Sequence, residues 1–240
     1  MRHIFSTLLL GPVLILGLIL GPLFGLSGCS APRSPLDQLK AQLRDAPEYT
    51  IALEDMRQDG TFFPAYYHKY KVLQGEQVWS TDWLEVSEDF YRRNENFLGM
   101  SLASKREGQE TTTPHPAGYH YVGNEQYGQW RSDSRGNSFW EFYGKYALLR
   151  DVLGLAGGSI FRRDYDQYRG YQSQNRPYYG PTGREYGTNG TTTRQRNPSF
   201  FERRQAREVA SQQRFRQKFQ NRIGRSSGAS LRSRSFGFGK

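Results

Sequence analysis

The chain has a single cysteine, Cys29, among its 240 residues. No intramolecular disulfide is possible, so whatever folds must be held by packing and hydrogen bonds alone. Histidine is scarce as well. His68, His115 and His120 are the only ones beyond the first three residues, and none stands in a spacing typical of a zinc site. There is no Gly-x-Ser-x-Gly elbow, no glycine loop of the kind that cradles phosphate, and no second thiol to act as a nucleophile. No catalytic residue, metal ligand or cofactor is therefore assigned. Glu85 and Glu141 could serve a glycosidase only at a separation that sequence does not give. Asp164-Tyr165-Asp166 has the outline of a two-acid motif, but Arg163 and Arg169 flank it and can neutralise it.

Long apolar runs are equally few, and the outstanding one is Ile4 to Leu26, which no charge interrupts and which follows the short positive end Met1-Arg2-His3. Such a run is an export signal or a membrane span, and Pro12 and Pro22 weaken it as a straight span. It ends in Leu26-Ser27-Gly28-Cys29: an aliphatic residue, two small ones, then cysteine. That ending resembles the lipobox of bacterial lipoproteins, a likeness confined to residues 1 to 29. The resemblance implies cleavage after Leu26, Ser27 and Gly28, because only small side chains pass the peptidase next to the cut, and acylation of the Cys29 sulfur. With three acyl chains the attachment to the membrane would be effectively permanent. Ser30 follows where, in the enterobacterial pattern, aspartate favours the inner membrane, so the expected address is the cell envelope, with the outer membrane preferred.

Acidic residues are unevenly missing. Residues 30 to 159 hold 14 Lys/Arg and 18 Asp/Glu, whereas residues 160 to 240 hold 18 and 5. The formal charge of +10 therefore belongs to the C-terminal part, which is suited to an anionic surface or partner.

What remains between anchor and tail reads as one α+β domain over residues 34 to 156, a small antiparallel sheet with two or three helices. Residues 29 to 33 form a tether. Ser34 and Pro35 open a helix carrying Leu36, Leu39 and Leu43. Strands are expected at 49–56, 62–73 and 77–86, joined by Asp59-Gly60 and Gln74-Gly75-Glu76 and buried on one face. Ser87 caps a second helix. Short strands follow at 119–122, 126–132 and 138–143, and a third helical pattern runs over 146–155.

Residues 157 to 196 are rich in Arg, Tyr and Gly and poor in aliphatic residues, which is the composition of a disordered linker. Residues 197 to 223 are the exception, with Asn197 as cap and Pro198 in the first turn. At 100° per residue Phe201, Val209, Phe215, Phe219 and Ile223 share an arc of about 120°, with Arg203, Arg204, Arg207, Arg214, Arg216 and Lys218 around it. This is a basic amphipathic helix, followed by a disordered basic end over 224–240. Its expected counterpart is anionic lipid, an envelope polymer or a protein; the alternatives are packing on its own domain and no stable helix at all. Arg and Tyr alternating over 161–179 would suit nucleic acid in a cytoplasmic protein, but export argues against that partner. Trp79, Trp83, Trp130 and Trp140 are expected as core or cleft lining. The resulting expectation is a non-enzymatic, membrane-anchored envelope lipoprotein. The alternatives are an accessory subunit of an envelope complex, and a glycan-binding, small-molecule-binding or catalytic domain built on the aromatic half.

Overall fold

A computed structural model describes residues 33–60, 63–146 and 159–227, without the side chains of 224–227. It is an α+β protein. Cys29, its lipobox, the part of the expected 146–155 helix that follows Tyr146, and the basic end beyond residue 227 lie outside the described residues, while residues 224–227, expected as disordered, continue the last helix.

Helix α1 (Pro35–Gln42) starts as its sequence requires: the Ser34 hydroxyl accepts from the Asp37 amide at 3.2 Å, and Pro35 occupies the first turn. The sheet is built on β1 (Tyr49–Asp59) and β2 (Ala65–Gln74), paired antiparallel. Strands β3 (Gln77–Ser80) and β4 (Leu84–Val86) both pair with the outer side of β2. Beyond β1 lies β5 (Met100–Arg106), whose far side carries β6 (Gln109–Thr111) and β7 (His115–Pro116). Helix α2 (Glu88–Asn94) is capped by Ser87, which accepts from the Phe90 amide. A second sheet of three strands has the order β10-β9-β8, with β8 Gly128–Ser132, β9 Ser138–Phe142 and β10 Ile160–Phe161. The strand expected at 119–122 is not formed: residues 117–121 make a 3-10 helix.

A sheet with one wet face was expected, yet five consecutive residues of β1, Tyr49 to Leu53, are buried. Ile51 and Leu53 face a core with Leu36, Leu39, Tyr91 and Leu98. Ala52 faces the other way, into a cluster with Leu73, Tyr121, Tyr127 and Tyr146. As the central strand, β1 is covered on both sides and loses the polar alternation of a half-exposed one.

Residues 157 to 196 have the composition of a linker, but those described do not have its structure. From Ser159 this segment is folded onto the domain and is no linker. Helix α3 (Arg162–Ser173) buries Tyr165 and Tyr168 beside Tyr119, Val122, Trp140 and Tyr178. The chain then crosses back: the Tyr178 amide donates to Pro114 O at 3.0 Å, and the Thr188 hydroxyl accepts from the Leu98 amide at 3.2 Å. Gly187 sits at φ +79° where a Cβ would meet Asn96 O, so this glycine is there for close approach. Tyrosine rings and backbone hydrogen bonds supply the cohesion that a count of aliphatic residues does not register. A short helix α4 (Thr191–Arg196) leads into the long α5 (Pro198–Ser227).

Candidate binding surface

Helix α5 has two halves with different surroundings. Its root is laid along β1. The register between β1 and β2 shifts between Leu53 and Asp55, an irregularity that leaves the Glu54 carbonyl to accept from the Asn197 side-chain amide at 2.8 Å. Asn197, expected as a cap, ties the helix to the sheet through its side-chain amide. Phe200 is 3% exposed and joins the main core, a role its sequence context did not announce because it lies off the apolar arc. Phe201, on the arc, is partly buried, with the Arg194 guanidinium 5.1 Å from its ring centre.

Three of the basic residues read as partner-binding are used within the molecule at the root of the helix. Arg203 Nη2 lies 2.6 and 2.7 Å from the Asp55 carboxylate oxygens, and its guanidinium sits over the Trp83 ring. Arg207 donates to Gln58 O at 3.1 Å. Arg204 pairs with Glu208 one turn on, at 3.4 Å. Self-packing is therefore what the root of the helix does.

From Val209 onward the surroundings change. Phe215 and Phe219 are 70% and 57% exposed and stack on each other, with ring centres 6.4 Å apart and planes 16° from parallel. Val209 and Ile223 are exposed as well. Lys218 and Arg222 share a shallow concavity with the two phenyl rings. Arg214 donates to Ala210 O of its own helix, and Arg216 is exposed. Counting 100° per residue, the centre of Phe215, Phe219 and Ile223 lies roughly 130° round the helix from that of Phe200, Arg203 and Arg207. The exposed stripe is thus no continuation of the docked face. After Glu208 the sequence has no acid to its end, while Lys and Arg occur eight times.

The three histidines of the folded part are packed into its interior. His68 is fully buried, 3.0 Å from Tyr70 Oη and against the rings of Phe90 and Tyr91, and burial lowers it to about 4. His115 Nδ1–H donates to Thr113 O, and His120 Nε2–H donates to Lys105 O; burial holds them down to about 4 and about 3. Their ring centres are 6.3 Å apart. His120 Nε2 also lies 3.5 Å from a Glu48 carboxylate oxygen.

Glu48, at the base of an open cleft with Arg106 and Gln126, is raised by burial and accepts from the Tyr127 phenol at 2.6 Å. Among the described residues no three His, Cys, Asp or Glu side chains converge as a metal ion requires. The four tryptophans are dispersed: Trp130 and Trp140 meet in the second sheet, Trp83 lies under Arg57 and Arg203, and Trp79 stands exposed on β3. Nor do the tyrosines of 161–179 form a stacking platform, since Tyr165, Tyr168 and Tyr178 are core. Asp164 and Asp166 pair with Arg163 and Arg162.

The chain matches no protein-family model, no curated protein and no solved structure. Its function is to be read from its own residues. Among those described, no helix is long and apolar enough to cross a membrane.

Proposed function

We propose that this chain is a lipid-anchored, non-enzymatic protein of the bacterial cell envelope, whose distal α5 engages an anionic surface. The anchor rests on the lipobox-like Leu26-Ser27-Gly28-Cys29, and Ser30 favours the outer membrane as the address. The observation that carries the binding role is the exposed Phe215–Phe219 pair, turned away from its own domain in a stretch whose charge is of one sign. An aromatic stripe flanked by Arg and Lys gains from apolar burial and from phosphate or carboxylate contact together. Mass spectrometry of the protein from its host tests the anchor. The expected N-terminus is an acylated Cys29, and a Cys29→Ala variant is expected to leave the envelope membrane fraction. A native chain beginning at Met1, or one with a free thiol, would overturn the assignment.

A further inference from the structure

The geometry points to one occupant for the distal half of α5: the anionic phospholipid leaflet that holds the chain's own acyl anchor, with the helix lying flat in the headgroup region. This inference rests on the reading of Cys29 as the anchor. Three observations select lipid. First, only five peptide units separate Cys29 from Ser34, the cap of α1, and at about 3.6 Å per residue that tether spans at most about 18 Å. The folded domain is thus kept close to the bilayer, and residues 209–227 form an arm of about 28 Å within its neighbourhood.

Second, a second copy of the chain is a poor occupant. Pairing two such arms would bring together surfaces that carry Arg214, Arg216, Lys218 and Arg222 and no acid.

Third, the stripe is narrow, made of Phe215, Phe219 and Ile223 on a single helix, with Lys218 and Arg222 beside the rings. Rings that go a few ångströms into the acyl boundary while cations stay level with phosphates fit that arrangement. The docked root sets the orientation. Asn197, Arg203 and Arg207 hold α5 to Glu54, Asp55 and Gln58 in turn, so the arm leaves along β1 on a fixed line. Lipid at Cys29 and the arm together would fix how the domain faces the membrane.

The test uses the acylated protein reconstituted into vesicles. Cys29 is blocked by its lipid, so a cysteine introduced elsewhere is the one thiol open to an environment-sensitive dye. Phe219→Cys places the dye on the stripe and Gln217→Cys places it on the other side of the helix. In phosphatidylglycerol vesicles the dye at 219 is expected to shift to the blue and the dye at 217 to remain in water. The shift should vanish in phosphatidylcholine vesicles and shrink with added salt. Equal shifts at both positions, or none at either, would overturn the flat interfacial helix. In the latter case a protein or polymer takes its place as the counterpart, while acylation of Cys29 stands or falls by its own mass measurement.

Discussion

Arg203 and Asp55 lie 148 residues apart and meet in an ion pair, with one guanidinium nitrogen within hydrogen-bond distance of both carboxylate oxygens. The Asp55 side chain is 15% exposed and that of Arg203 39%, so the pair is only partly desolvated. It fixes the line on which α5 leaves the sheet.

Arg203→Ala is expected to lower stability by about 1–2 kcal/mol, the range for a charged hydrogen bond in a half-wet setting. Denaturant unfolding measures it. A double-mutant cycle with Asp55→Ala should return a coupling of about 1 kcal/mol, and additive single effects would mean that the pair is geometric only.

The two halves of α5 should respond very unequally to loss of an aromatic ring. Phe200→Ala empties a core position and should cost about 3–5 kcal/mol. Phe215→Ala removes an exposed ring and should change stability by less than about 0.5 kcal/mol. Comparing the two midpoints tests the division of the helix directly.

Where the domain ends can be decided by truncation. A chain stopped at residue 158 loses Tyr165, Tyr168 and Tyr178 from the core around Val122 and Trp140, and should fail to give a cooperative melt. One stopped at Glu208 keeps every described contact between α5 and β1 named above. Its midpoint should stay within a few degrees of the full chain's. A cooperative melt of the shorter chain would restore the reading of residues 157 to 196 as a linker.

Acid should weaken the fold earlier than its carboxylates alone would dictate. His68 and His115 are lowered to about 4 and His120 to about 3, each chiefly by burial, so the unfolded chain binds their protons first as pH falls below about 6.5. Stability held by the neutral imidazoles is complete above that pH and is lost down to about pH 3–4. Glu54, Glu110 and Glu185 are lowered from 4.5 against the pull of burial, the first two by hydrogen bonds and lysine charges and Glu185 by hydrogen bonds alone, and they add losses only below that value. Glu48 is raised by burial and works in the opposite sense. Between pH 6.5 and 4.5 each histidine contributes a slope of up to about 1.4 kcal/mol per pH unit. His68→Phe should flatten the midpoint against pH by one such contribution, and an unchanged slope would show that His68 does not titrate on unfolding.

Residues acting on near neighbours were legible from the sequence: Ser34 and Ser87 as caps, Gly75 at a hairpin turn, and the 3.6-residue recurrence of Phe215, Phe219 and Ile223. Each depends on atoms a few positions away, and so survives any tertiary arrangement. The α+β class followed from the same local signals. Whether a polar, tyrosine-rich stretch is folded depends on what its rings meet, and Tyr178, beside Tyr168 and Tyr171 of its own stretch, also meets Tyr119 from far along the chain. Composition could not carry that. The basic helix likewise looked uniform in sequence, with Arg203 and Arg216 equivalent members of one cationic set. Only the fold distinguishes them, because it places a partly buried carboxylate beside Arg203 and leaves Arg216 in water. A side chain's charge is written in the sequence, but the depth and partner that determine its use come from the packing of distant strands.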